Sequence, residues 1–138
     1  MANIIPTAFK TELLSGTHNF ANGGNSFKLA LYTSNPYSAS STTYSTSNEV
    51  SSSGTSYTAG GQVLDSQAVA ATSTTGHVDF ADETFASVTL TAAFAAIYND
   101  TNSDKLCLVL DFGGNKTATN GDFVVQFPTA NASDAIIR

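Results

Sequence analysis

Along most of the chain, apolar and polar residues alternate in short stretches separated by clusters of Gly, Asn, Ser and Pro. Alternation with period two puts successive side chains on opposite faces of a strand, so this texture predicts sheet. Phe27-Lys28-Leu29-Ala30-Leu31-Tyr32-Thr33 alternates, carries aromatic residues and stops at Asn35-Pro36. Residues 62–72 read as an extended strand after Gly60-Gly61, and His77-Val78-Asp79-Phe80 alternates after the turn at Gly76. Residues 86–98 are mostly apolar with interleaved Thr. Their alanines permit a helix, but Val88-Thr89-Leu90-Thr91 and Ala96-Ile97-Tyr98 favour one long strand with a bulge near Ala92-Ala93. The polar run 99–104 predicts a turn between antiparallel strands, followed by a strongly apolar strand over 105–112. Gly113-Gly114-Asn115 and Asn120-Gly121-Asp122 predict turns on either side of 116–119, with a further strand over 122–127 and an edge strand over 135–138.

Two segments break this texture. Near the N-terminus Pro6 and Thr7 open a short helix, Phe9, Leu13 and Leu14 fall on one face, and Gly16 closes it. Two turns cannot stand alone in water, so the helix must dock on the rest of the chain. Residues 34–58 are dominated by Ser, Thr and Tyr and include Pro36 and Gly54, which predicts a long loop. Tyr37, Tyr44 and Tyr57 are spaced through it. A flexible polar loop and a protein interface are both compatible with that pattern; three tyrosines favour the interface. The whole predicts a single all-β domain over residues 1–138. It would be an antiparallel β-sandwich of jelly-roll type with seven or eight strands, an N-terminal arm over 1–22 and the long loop over 34–58.

Composition changes the picture in one respect. Charged residues make up 12% of the chain, against about 25% in typical soluble domains. Hydroxyls and amides replace them, giving a surface that is easily desolvated and suited either to lasting contact or to an extracellular setting. The net charge is −6, and the five basic residues, Lys10, Lys28, Lys105, Lys116 and Arg138, are scattered. Without a basic patch, nucleic acid and anionic membrane surfaces are disfavoured as partners. The absence of a basic, then apolar, leader and of any long apolar stretch predicts synthesis and folding in a cytoplasm with no membrane span.

Cys107 lies inside an apolar run and reads as a small buried hydrophobe. His77-Val78-Asp79 offers two metal ligands without a third or fourth, and His77 is expected on the sheet surface. Asp100, Asn102 and Asp104 alternate like the start of a calcium loop, but the Gly and Glu that complete the motif are missing. Asp111 and Asp122 are carboxylates whose separation the sequence does not give. No Gly-x-Ser-x-Gly elbow and no phosphate-binding glycine loop occurs. The chain is therefore expected to be no enzyme, and to use no cofactor and no metal.

One resemblance gives this a positive form. Thr89-Leu90-Thr91-Ala92-Ala93-Phe94-Ala95-Ala96-Ile97-Tyr98-Asn99-Asp100 is followed by Leu106 to Gly113, with its Asp111-Phe112-Gly113, and then by Thr119-Asn120-Gly121-Asp122-Phe123. Together with Lys28 to Thr33 and Tyr57-Thr58-Ala59-Gly60-Gly61, this order of strand–turn signatures resembles small virion proteins of tailed bacteriophages. The resemblance implies a virion structural protein of the capsid decoration, or cement, type, bound to the outside of the shell. Its implied partners are the major capsid protein and itself, as a homotrimer; the alternative is a tail or fibre-associated virion protein or adhesin module. It brings no catalytic residues. The partner-interface candidates are Phe9, Leu13 and Phe20 in the arm, and Tyr37, Tyr44 and Tyr57 in the loop. An arm over residues 2–20, or the loop, would clamp the shell or a neighbouring copy by adding strands to it.

Overall fold

The computed structural model describes residues 3–138. Among them the chain forms one helix, α1 (Thr7–Leu14), and six strands: β1 (Phe27–Tyr32), β2 (Gln62–Val63), β3 (Ala68–Thr72), β4 (Thr75–Asp79), β5 (Glu83–Asn99) and β6 (Lys105–Val125). All pairings are antiparallel. One sheet has the order β2-β1-β5-β6, and β3 and β4 form a separate hairpin. The molecule is mostly β, as its alternation predicts.

β1 sits at the centre of the larger sheet and is buried on both sides. Phe27, Leu29 and Leu31 enter the main core with Phe85, Ile97 and Leu108, while Ala30 and Tyr32 enter a second apolar cluster with Tyr98, Leu106 and Val109. β5 pairs with β1 through Phe27↔Asn99 to Tyr32↔Phe94 and continues far beyond it. Its register against β6 slips between Ala92 and Phe94, where the bulge was expected. A bulge adds a residue to one strand and increases the local twist, so a long ribbon can bend around a core.

Four expectations differ from the structure. The strand expected over 62–72 is broken: Gln62–Val63 joins the larger sheet as β2, Ala68–Thr72 joins the hairpin as β3, and Ser66 between them has φ 54°. The glycine and asparagine clusters at 113–115 and 120–122 do not end strands. β6 runs through both, with Gly113 and Gly114 at φ of 75° and 137° and Asn120 at 47°. Residues that tolerate positive φ bend a strand as readily as they reverse it, and the long partner β5 keeps β6 in the ladder. Predicted pieces therefore merge, and six strands replace seven or eight. Residues 135–138 contribute a single bridge, Val78↔Ile137, and no strand of their own. The helix, finally, docks by a different face. Phe9 is 2% exposed, but Leu13 is 40% and Leu14 89% exposed. Phe9 meets Phe20 at 6.1 Å, and Phe20 stacks on Phe27 at 4.3 Å. The other inward position of α1 is Glu12, three residues on, which bonds Lys105 and His18. Docking at positions 9 and 12 leaves Leu13 at the margin and turns Leu14 outward.

The C-terminus of α1 follows its sequence signal. Gly16 has φ 78°, its N–H donates to the Leu13 carbonyl, and Thr17 N–H donates to that of Glu12. This is the Schellman arrangement that a glycine just past the helix permits. Segment 34–58 is not a free loop. It pairs with the far half of β1 through Tyr32↔Glu49, and with the start of β6 through Thr43↔Lys105.

Gly61 carries the tightest backbone approach. Its φ is 78°, and a Cβ there would lie 1.8 Å from the Leu29 carbonyl oxygen, beside the β1–β2 pairing. Gly61→Ala is expected to cost about 2–4 kcal/mol, from left-handed strain plus displacement of β1. Urea unfolding followed by circular dichroism checks this, with Gly54→Ala, where no atom lies near, as the milder comparison.

Candidate functional site

Two polar constellations lie inside the fold. The first joins α1 to the β5–β6 turn. His18 is buried in the aromatic group, 5.0 Å from the Phe9 ring. Its Nε2 lies 2.9 Å from Glu12 Oε2, and Glu12 Oε1 accepts from Lys105 Nζ at 2.7 Å. On the other side of the ring, Asn99 Nδ2 donates to Nδ1 at 3.0 Å. An amide N–H facing Nδ1 fixes the proton on Nε2, which donates to the carboxylate. Asn99 itself is fully buried, and its Oδ1 accepts from the N–H groups of Thr101 and Asn102, closing the turn.

Cys107 Sγ approaches the same Nδ1 at 3.8 Å. Thiol, imidazole and carboxylate thus lie in the order that a nucleophile, its base and an orienting acid would need. The surroundings oppose that use. Cys107 is fully buried, and burial, with the Glu12 charge adding to it, pushes the thiol well above its usual range. The Nδ1 lone pair is also already engaged by Asn99. The arrangement holds a neutral thiol and ties a helix to a turn.

The second constellation organises segment 34–58 and uses every tyrosine of the chain. Glu49 is its only charged residue. Glu49 Oε1 accepts from Tyr57 Oη at 2.8 Å and Gly60 N–H at 2.7 Å, and Oε2 accepts from Tyr44 Oη at 2.5 Å. Tyr44 stacks on Tyr98 at 4.6 Å, and Tyr98 Oη donates to the Gly60 carbonyl. Deeper in, Tyr32 Oη donates to the Ser45 carbonyl at 2.8 Å and lies 2.6 Å from Tyr37 Oη, which accepts from Ser45 N–H. Leu31 N–H donates to Tyr57 Oη, filling a position on β1 that no strand occupies. Burial first, then the Glu49 carboxylate, holds the Tyr44 and Tyr57 phenols above their ordinary values, so they remain donors.

These placements bear on the interface candidates. Phe9, Phe20, Tyr37 and Tyr57 are buried within the chain, Tyr44 is half-buried against Tyr98, and Leu13 alone is exposed. A side chain buried in its own fold offers a partner little. The sequence does not reveal the face of β1 that these tyrosines cover. His77, expected on the surface, is 5% exposed, with Nε2 3.0 Å from Thr72 Oγ1. Asp100 pairs with Lys28 at 3.1 Å, and Asn102 donates to the Thr17 carbonyl, so the acidic turn faces protein groups. Asp111 and Asp122 both lie on β6, and their Oδ1 atoms accept from the N–H groups of Gly113 and Ser87. Among the described residues no group of three or more His, Cys, Asp or Glu could hold a metal ion, and no helix is long and apolar enough to cross a membrane. Glu49, Tyr98 and Asn99 were missed; the signal for Glu49 was its isolation as the lone charge in a tyrosine-bearing segment.

A depression of about 400 Å³ lies beside the distal part of β6 between Phe112, Lys116, Asp122 and Phe123. Another of about 230 Å³ lies between Leu13, Val69, His77, Val78 and Ile137. Fold and site define a mostly β, antiparallel domain in which His18, Cys107, Glu12 and all five tyrosines are engaged within the chain. No protein-family model, curated protein or solved structure matches it.

Two predictions follow from these clusters. The Glu12 carboxyl loses water on burial, but the hydrogen bonds from Lys105 and His18 and the charge of Lys105 outweigh this and hold it below the usual value of 4.5. A lowered folded value means that its contribution is present above pH 4.5 and lost as pH falls through the lowered value. Glu12→Gln is therefore expected to destabilise the chain at neutral pH, with the gap to wild type closing on acidification below pH 4.5 in urea titrations. Glu49→Ala removes the acceptor of three donors and is expected to cost about 2–3 kcal/mol. It should also speed amide exchange and proteolysis within 34–58 more than elsewhere.

Proposed function

We propose that this chain is a structural protein of a tailed-bacteriophage virion, a decoration protein that binds the outside of the capsid shell and stabilises it. The observation that carries the reading is how the chain uses its reactive groups. The imidazole and thiol of the first cluster and the phenols of the second are consumed in holding the fold, leaving an exterior of hydroxyls, amides and shallow relief. Such a surface recognises a partner by shape and hydrogen bonds over an area and not by a pocket. In this reading the chain is not an enzyme, its partners are the major capsid protein and further copies of itself as a homotrimer, and it resides on the virion. The order of strand–turn signatures from Lys28 to Phe123 supplies the family. The sandwich reading belongs here too: β4 and the larger sheet contribute Val78, Leu29 and Phe85 to one core, as two facing layers would.

A second reading, a tail or fibre-associated part or adhesin module, is favoured by the β5–β6 ribbon. Its outer side carries a ladder of hydroxyls and amides, with Thr91 and Thr117 Oγ1 2.8 Å apart and Thr89 bonded to Asn120.

Deletion of the arm is a poor test, because Phe9 and Phe20 are core residues. A better one mixes the purified chain with shells of the encoding phage that lack it and measures co-sedimentation. Saturable binding with a fixed copy number per shell, and shells that resist heating longer, is the expected result. No binding to shells, with antibody labelling confined to tails, would replace it by the second reading.

A further inference from the structure

The β3–β4 hairpin leaves one backbone edge open. In an antiparallel pair, peptide groups point alternately toward the partner strand and away from it. Val78 N–H donates to the Ile137 carbonyl at 3.0 Å, so at Val78 the backbone of β4 faces away from β3. Val69, opposite Val78, then also faces away from β4, and so does Ala71, opposite Gly76. β3 lies at the edge of its hairpin, and all five of its residues are exposed. Among the described residues, the groups left open are the N–H and C=O of Val69 and Ala71.

The side chains at this edge are equally incomplete. Ile137, Val78 and Val69 form a row across three adjacent strand positions. Ile137 and Val78 are buried, whereas Val69 is 58% exposed and shares a depression with Leu13, which is 40% exposed. Leu14 beside it is 89% exposed. Natural edges are usually guarded by charge, proline or a bulge. Residues 66–77 contain no acid, no Lys or Arg and no proline.

We infer that β3 is a self-association edge, at which a second copy of this chain adds its own β3 antiparallel to the first. The occupant follows from charge and symmetry. The chain carries a net charge of −6, so two copies repel except where their contact is neutral, and β3 with its turn is neutral. With Ala70 facing Ala70 of the second copy across a two-fold axis, Val69 lies opposite Ala71 of that copy, and the open N–H and C=O groups of both residues pair reciprocally. The small side chains of Ala68, Ala70 and Ala71 permit close approach, and Val69 gains a neighbour on the face where its row stops. This contact closes on two copies and stands apart from the virion reading and from any three-fold contact in it.

Light scattering over a range of concentrations tests it together with crosslinking. Ala71→Pro removes an outward N–H without touching the bonds to β4, and Val69→Lys places like charges at the contact. Wild type should show twice the mass of either variant, falling on dilution, and both variants should keep the wild-type circular dichroism. Ala70→Cys should give a disulfide-linked dimer under mild oxidation, the native Cys107 being buried, while Thr119→Cys, exposed on β6, should not. A wild type that stays monomeric at every concentration overturns the inference, as would a partner strand supplied only by another protein. So does an assembly of any size whose mass Ala71→Pro leaves unchanged, or equal crosslinking of the two cysteine variants. Shell binding by a chain that fails these tests would leave the proposed function standing.

Discussion

β1 is the strand on which the rest of the structure depends, because it is apolar on both faces and needs a cover for each. Antiparallel sheets usually bury one face and wet the other. Here Phe27, Leu29 and Leu31 take one side, and Ala30 and Tyr32 the other. The first side is closed by α1, the aromatic group around Phe20 and Phe80, and Val78 of the hairpin. Among the described residues, no sheet or helix covers the second side. Tyr37 and Tyr44, from an irregular segment, lie in the cluster that covers it.

That solution explains the odd composition of residues 34–58. A covering layer without regular structure must satisfy its own peptide groups and those of the strand it lies on. Ser and Thr do this locally through turns, as where Ser38 and Ser41 bond and where Ser45 accepts from Ser47 N–H. Tyrosine reaches further, since one side chain buries a ring and delivers a hydroxyl to a distant partner. Glu49 gathers these hydroxyls, and its charge strengthens each bond it accepts. The segment is polar in sequence, and it reaches the interior through Tyr37, Val50 and Tyr57 while most of its other residues stay exposed.

A similar economy governs the α1 cluster. Burying an imidazole, a thiol and a carboxylate together is costly unless each polar atom is matched. Asn99, Lys105 and Glu12 supply the matches, and the same bonds fix the helix to the β5–β6 turn. In this network the imidazole, thiol and carboxylate hold helix and turn together.

Strand character, the short helix with its Gly16 stop, the single long strand β5 and its bulge were legible in the sequence, since each is set by local pattern and backbone sterics. The merging of β6 was not, because a glycine pair bends or reverses a chain depending on whether a partner strand runs alongside. The roles of Tyr37, Tyr44 and Tyr57 were not legible either. Whether a tyrosine faces a partner or its own core depends on which surface the fold leaves uncovered. The same holds for His18 with Cys107, 89 residues apart in the chain, and for the open edge of β3. Local sequence determined which residues extend, turn and stop; contact between distant segments decided what they cover, because only the assembled sheet defines a second face and an unpaired edge.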